Sequence, residues 1–356
     1  MSARVSLVYS EEHVMHRPPT SSPENPERLL RVMRYLETKK NSIGEDVDII
    51  SMFSPATEED ILRVHQKGYL DFVRNHSARG GGFLGDSTYF TPGTYDAALI
   101  AAGGAIKASQ LVVDGISPYS FALVRPPGHH AKSDNYGGFC IFNNSAVAVR
   151  NMQHNKKIKT AMIVDWDAHA ANGTMSIFEE DPSVLVVSMH HDPKGFYPGD
   201  GFAHQIGKGK GRGTNVNVEM PQGAGDEEYK MAMDEIVQPL YEQYKPDMLM
   251  TCIGYDVHFS EQLTSMNLTS QGYHSTITKL KNMSQEKMAL ILEGGYNWYN
   301  PRLTHTVINA LIDKPVPYTD DVDILSSSVV REKRVNKVMR DKINMLKTNL
   351  GEYYKF

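Results

Sequence analysis

The sequence predicts an α/β fold on a mainly parallel sheet, and three observations carry that prediction. Short apolar runs alternate with longer amphipathic stretches, the rhythm of βαβ units. The run Thr160-Ala-Met-Ile-Val164 puts apolar side chains on both faces, as a strand covered on both sides requires. Clusters of His, Asp and Glu fall where five of the runs end, and in open α/β sheets sites form outside the carboxyl ends of the strands.

Taken in order, the strand candidates are residues 5–9, 46–52, 120–124, 160–165, 184–189, 247–253 and 288–292. Helical periodicity runs through 26–39, 57–76, 94–113, 143–153 and 226–244. From about 325 to 350, Val335, Val338, Met339, Ile343, Leu346 and Leu350 fall at helical spacing and predict a final amphipathic helix docked on the body. Gly80-Gly-Gly82 is a loop whose context does not match a dinucleotide fingerprint. Gly207-Lys-Gly-Lys-Gly-Arg-Gly213 imitates a phosphate cradle, but no Lys-Ser/Thr opens a helix after it, so it reads as a mobile turn. No internal repeat or low-complexity linker divides the 356 residues, and a single domain, 1–356, is expected.

Apolar residues make up 40% of the chain, enough for a sizeable core, and the net charge of −5 argues against a generic polyanion binder. Direct nucleic-acid binding is therefore not expected. Cys140 and Cys252 sit far apart in apolar surroundings and read as reduced core thiols. The first residues lack the long apolar stretch of a signal peptide, and no run approaches the roughly 18 apolar residues of a membrane span. A soluble, cytoplasmic protein is expected; no interface pattern fixes its oligomeric state.

The five polar clusters are Arg125-Pro-Pro-Gly-His129-His130, Asp165-Trp-Asp167-Ala-His169, His190-His191-Asp192, Gly254-Tyr-Asp256-Val-His258 and Glu293-Gly-Gly-Tyr296. In an extended chain side chains at i, i+2 and i+4 share a face, so Asp165, Asp167 and His169 can point the same way. Two carboxylates and an imidazole invite a divalent metal; a polar loop after a core strand is the plain alternative. Asp167, His169 and Asp256 together offer one nitrogen and two carboxylates. Three protein ligands leave a position open, as in catalytic rather than structural zinc. Two carboxylates neutralise the dication, so such a site wants a separate general base. His129 and His130 are the candidates. Asp165 and Asn172 lie close enough in sequence to orient their second nitrogens, an Asp adding basicity and an Asn adding none. Tyr296, after two glycines, can bring a phenol to the carbonyl oxygen of a substrate. His190 and His191 read as structural, and His258 as a non-ligand.

Together these residues resemble the zinc-dependent deacetylase family of histone deacetylases, acetoin-utilisation proteins and acetylpolyamine amidohydrolases. The resemblance spans roughly residues 5–310 and also includes Pro23-Glu-Asn-Pro-Glu-Arg28, Gly137-Gly-Phe-Cys-Ile-Phe-Asn-Asn144 and Tyr197-Pro-Gly199. It implies the arginase/deacetylase fold, a three-layer α/β/α domain with an eight-stranded, mainly parallel sheet. It implies zinc on Asp167, His169 and Asp256, with His130 as general base and His129 as its electrostatic partner. Asp165 and Asn172 then stand behind the two histidines, and Tyr296 is the oxyanion donor. By the same resemblance the Gly138 carbonyl accepts from the substrate amide, and Phe139, Tyr197 and Leu263 wall a narrow acyl-lysine tunnel. A structural potassium ion would be held by backbone oxygens of Asp165, Asp167, His169 and Met189 and the side chains of Asp165 and Ser188.

The chain departs from that pattern in places. Where the family usually reads His-Gly-Asn-Gly-Thr after the histidine ligand, this chain has Ala170-Ala-Asn-Gly-Thr174. If the glycine position needs positive φ, alanine there costs about 1 kcal/mol or reshapes the turn. Ser22 replaces a common histidine, and Glu261-Gln-Leu replaces a frequent Asp-Pro-Leu. The expected function is removal of acetyl or a related acyl group from lysine ε-nitrogens of proteins or peptides. An acetylpolyamine deacetylase, needing acids such as Asp86 or Asp96 at the rim, is the alternative. A different class is an acyl-lysine binder that has lost turnover.

Overall fold

The structure is a computed structural model and describes residues 4–318, 320 and 329–356. Residues 1–3, 319 and 321–328 of the expected domain lie outside the described residues, and with them the first four of the predicted final helix. Among the described residues eight strands form one sheet, parallel throughout. They are β1 (Val5–Val8), β2 (Val47–Ile50), β3 (Tyr119–Ala122), β4 (Ala161–Asp165), β5 (Val184–His191), β6 (Asn215–Met220), β7 (Met248–Ile253) and β8 (Met288–Leu292). Their order across the sheet is β2-β1-β3-β8-β7-β4-β5-β6.

Side-chain alternation in the central strands builds two cores. Met162 and Val164 of β4 enter one and Ala161 and Ile163 the other. Leu249 and Ile253 of β7 divide from Met248, Met250 and Cys252 in the same way. Helices Glu27–Thr38, Ser270–Met283, Asn300–Leu311 and Val329–Leu350 cover the first face; Lys67–Ala78, Thr94–Val113 and Asn144–His154 cover the second. The result is the three-layer α/β/α arrangement.

Strand β6 was not among the sequence candidates. Its Val216, Val218 and Met220 enter the core, while Asn215, Asn217 and Glu219 alternate with them. Asparagine is a poor strand former, which masked the run. Here the polar side chains bond to flanking segments: Asn215 to the Met175 carbonyl at 3.1 Å, Asn217 to that of Gln205 at 2.8 Å, and Glu219 to the Ala203 amide at 2.8 Å.

The periodic stretch 57–76 is two helices, Glu58–Leu62 and Lys67–Ala78. Between them His65 bonds the Lys132 carbonyl at 2.9 Å and receives the Asn143 amide at 2.9 Å, so tertiary contacts outweigh continued periodicity. The stretch 226–244 is helical but widens to a π turn at Met233–Val237. Pro239 lacks an N–H and crowds the carbonyl four residues back, which the wider turn accommodates.

Thr94–Val113 corrects the expectation about membrane spans: by length and composition it could cross one. In the fold it packs on β1, β3 and β8, with Ala98, Ala101, Ala105 and Ala108 buried. In the final helix Val335, Met339, Ile343, Leu346 and Leu350 are buried, but Val338 is 38% exposed and does not belong to the docked face.

Candidate active site

Sheet order explains why distant segments meet. β7 lies between β8 and β4, so Asp256 emerges beside Asp165 to His169 on one side and Glu293 to Tyr296 on the other. β3 borders β8 and delivers the loop of His129 and His130. All of these loops leave the carboxyl ends of their strands.

Nδ1 of His169 lies 3.1 Å from Asp167 Oδ1 and 3.0 Å from Asp256 Oδ2. The ligating atoms of the three residues lie within 4.8 Å of one another. Asp167 and Asp256 are fully buried, and two buried carboxylates facing one imidazole form a site that a dication completes. Burial and the neighbouring Asp167 push Asp256 up to about 7, with His169 pulling the other way. The remaining carboxylate oxygens are anchored: Asp256 Oδ1 accepts the Ala168 amide at 3.0 Å and Asp167 Oδ2 the Gly294 amide at 2.8 Å. A Cβ on Gly294 would stand 2.5 Å from that same Asp167 oxygen, so only glycine lets the amide approach. The donor set therefore fits a zinc ion in number, type and preorganisation.

The histidine pair sits beside this set. His129 Nδ1 is 3.2 Å from Asp165 Oδ2, and His130 Nδ1 is 2.7 Å from Asn172 Oδ1. Burial opposes charge on His129, but Asp165 and Asp167 outweigh it and hold its pKa up at about 10. Burial pushes His130 well below its usual range, and the positive neighbours His129 and His169 push it further. The loop is fixed from both sides. Glu293 Oε2 accepts the amides of Gly128 at 2.7 Å and His129 at 3.1 Å. The His129 carbonyl accepts the amides of Gly173 and Thr174 at 3.0 and 3.1 Å, at the start of the helix Asn172–Phe178 that carries Asn172.

A cavity of about 580 Å³ opens over these groups, lined by Gly138, Phe139, Tyr197, Leu263 and Tyr296 among others. The Phe139 and Tyr296 rings lie 5.2 Å apart. Tyr197 stands edge-on to His130 at 5.0 Å and donates to Asp86 Oδ2 at 2.9 Å. Gly138 has φ +50°, and a Cβ there would lie 2.3 Å from the His130 ring. Arg28 stacks on the Tyr296 ring at 4.5 Å and donates to the carbonyls of Gly295 and Glu293 at 2.9 and 2.7 Å.

Asp165 and Ser188 are register partners across β4 and β5, with Met189 next along the strand. The Ser188 hydroxyl accepts the Ala171 amide at 3.2 Å and lies 2.8 Å from His190 Nδ1. His190 is buried and its Nε2 meets the Gly201 carbonyl at 2.9 Å; His258 pairs with Ser260 at 2.7 Å. Neither joins the ligand set. Ala171 has φ −73° and ψ +53°, an inverse γ-turn closed by the Asn172 amide on the Ala170 carbonyl at 2.7 Å, so the cost expected from a positive φ does not arise. Gly201 packs on Ala170, where a Cβ would stand 2.7 Å away.

Arg28, Glu261 and Glu293 contribute to the site without having been assigned roles from sequence. Each was quoted within a motif, Arg28 in Pro23–Arg28, Glu261 before Gln-Leu and Glu293 at a strand end, but their bonds to backbone groups of other loops follow from no spacing rule.

The family model of the histone deacetylase domain matches residues 22–311. The chain belongs to the histone deacetylase family. A probable deacetylase of Archaeoglobus fulgidus is 38% identical over 295 residues, covering 82% of this chain and 81% of that protein. Histone deacetylase HDA1 of Saccharomyces cerevisiae is 37% identical over 296 residues, 77% of this chain but 42% of its own length. Histone deacetylase 14, chloroplastic, of Arabidopsis thaliana is 36% identical over 315 residues, covering 83% of this chain and 74% of that one. Among solved structures, the HDA15 HD domain superposes with a TM-score of 0.85 at 30% identity, covering 99% of this chain and 98% of that domain. Membership of the histone deacetylase family makes the chain a deacetylase-type hydrolase with the fold described above.

Proposed function

We propose that the protein is a zinc-dependent hydrolase that removes acetyl, or a related acyl group, from the ε-nitrogen of lysine in proteins or peptides. The observation that carries this reading is the convergence on one cavity of the Asp167–His169–Asp256 donor set, the two histidines and Tyr296. Zinc held by those three residues supplies Lewis acidity toward water and the acyl carbonyl.

His130, kept neutral by burial and with Nδ1 engaged by Asn172, has Nε2 available to take the proton of the attacking water. His129, paired through Nδ1 with the buried Asp165, is its electrostatic partner. Tyr296, whose phenol burial keeps protonated, donates to the oxyanion as the tetrahedral intermediate forms. A histidine of the pair returns a proton to the leaving ε-nitrogen. Phe139, Tyr197 and Leu263 wall the acyl-lysine chain, and the Gly138 carbonyl receives the substrate amide. The backbone oxygens of Asp165, Asp167, His169 and Met189, with the side chains of Asp165 and Ser188, would hold a potassium ion, whose charge would steady the ligand segment.

Two observations favour lysine in a polypeptide over an acetylpolyamine. The carboxylates lining the cavity are Asp167 and Asp256, both in the ligand set. The rim presents Phe83 and Leu263, 58% and 50% exposed, a surface suited to peptide rather than to a small polycation. Asp86 stands near the rim but accepts from Tyr197, and Asp96 lies in the first turn of Thr94–Val113, away from the cavity lining. The impaired-binder reading rested on the Ala170-Ala171 change; the negative φ of Ala171 takes away its strain argument, and the missing histidine at Ala170 is what still supports it. Acetate release from an acetyl-lysine peptide and from an acetylpolyamine tests the assignment. The peptide is expected to turn over faster; turnover of the polyamine alone would reverse the choice, and peptide binding without acetate release would restore the binder.

A further inference from the structure

We infer that Glu261 is the positioning residue that sets the oxyanion donor and the tunnel wall together; the inference rests on the reading of Tyr296 given above. Glu261 belongs to the loop after β7, five residues beyond Asp256, and is 8% exposed. Its Oε2 accepts the backbone amide of Tyr296 at 2.8 Å and the side-chain amide of Asn297 at 3.2 Å. Its Oε1 accepts the amides of Gln262 at 2.9 Å and Leu263 at 3.3 Å. One carboxylate thus gathers four donors from two loops, one bearing the phenol and the other Leu263.

The other main-chain anchors of the glycine turn act before the tyrosine, though Arg28 also lies over its ring. Asp167 receives the Gly294 amide, Tyr255 donates to the Gly294 carbonyl at 3.0 Å, and Arg28 holds the Gly295 carbonyl. Glu261 bonds the main chain of Tyr296 itself. Asn297, which shares the carboxylate, also donates to the Tyr255 carbonyl at 3.2 Å and accepts the Tyr299 amide at 2.8 Å, so the turn is clamped on both sides of the phenol. Hydrogen bonds to an ionised carboxylate are shorter and stronger than neutral ones, and a buried carboxylate so used fixes geometry. The Glu261 side chain spans the interval between the two loops.

A donor displaced by a fraction of an ångström from the developing oxyanion loses turnover more than substrate affinity. The experiment is a double-mutant cycle of Glu261→Ala and Tyr296→Phe in the full, zinc-loaded chain, with an acetyl-lysine peptide as substrate. Glu261→Ala is expected to lower kcat by about tenfold with KM changed by less than about twofold. Glu261→Gln, which still presents an acceptor to Tyr296 but sets an NH2 against the Gln262 and Leu263 amides, is expected to recover the rate in part, to within a few-fold of the parent. In the Tyr296→Phe background the same Glu261→Ala change is expected to cost less than about twofold, because no hydroxyl remains to be placed. Should Glu261→Ala fail to fold, Glu261→Gln carries the cycle, with a loss of a few-fold that vanishes in the Phe background. An equal loss in both backgrounds, or no loss in the folded single variants, would overturn this inference alone. Full activity of Tyr296→Phe would overturn the oxyanion reading and this inference with it.

Discussion

Tyr296→Phe is expected to lower kcat by about two to three orders of magnitude, or about 2.7–4 kcal/mol of transition-state stabilisation. The ring should keep its place. Arg28 lies over it at 4.5 Å and Phe139 faces it at 5.2 Å, contacts that a phenyl ring preserves. Glu261 grips the main chain and not the phenol. The change therefore removes one donor and little else, so KM and the melting temperature should stay near the parent values while turnover collapses. Steady-state kinetics on the peptide substrate, paired with a thermal scan, separates these quantities. A kcat within about threefold of the parent would remove Tyr296 from the mechanism.

The second large effect concerns stability. Arg125 is fully buried and meets both oxygens of Glu24, Nε to Oε1 and Nη2 to Oε2, each at 2.8 Å. It also donates to the carbonyls of His13 and His16, the latter at 2.8 Å. Burial opposes the charge on Glu24, but Arg125 and His16 outweigh it and hold that carboxyl well below the usual range. Arg125→Ala leaves the carboxylate buried with only the more distant Arg28, at 3.6 Å, and His16, at 3.3 Å, to offset it. Losing one partner of a buried pair costs about 3–5 kcal/mol. For a chain of this length that is a fall in melting temperature of about 4–7 °C. The consequence reaches the site, because Ser21, Ser22 and Pro23 line the cavity and Arg125 opens the loop to His129. A melting temperature unchanged within about 1 °C would show that the pair contributes nothing.

Much of the fold was legible because its strands are apolar on both faces and end in polar clusters. β4, buried throughout and followed by Asp167 and His169, is the plainest case. The partners of the histidines were legible for the same local reason: Asp165 and Asn172 flank the ligand segment, and the fold brings them within 3.2 and 2.7 Å of His129 and His130. Asp256 needed more. It is 87 residues from His169, and only the adjacency of β7 and β4 puts them together. Strand β6 was hidden because alternate positions carry Asn, whose amides bond flanking segments. The roles of Glu261 and Glu293 were hidden, although both residues stood out in the sequence, because each acts on backbone amides of a loop far away in sequence. The Ala170-Ala171 step invited a strain argument that depended on a φ no sequence states, and the backbone there is in the ordinary negative region.

The proposed hydrolysis requires Asp167, His169 and Asp256 to hold a zinc ion. The most direct measurement is a zinc titration of metal-stripped protein, with acetate release from an acetyl-lysine peptide followed at each addition, for the parent and for Asp256→Asn. The prediction is no release without metal, full release at one equivalent of zinc in the parent, and no saturable recovery in the variant. Undiminished release from the stripped protein, or a variant that titrates like the parent, would contradict it.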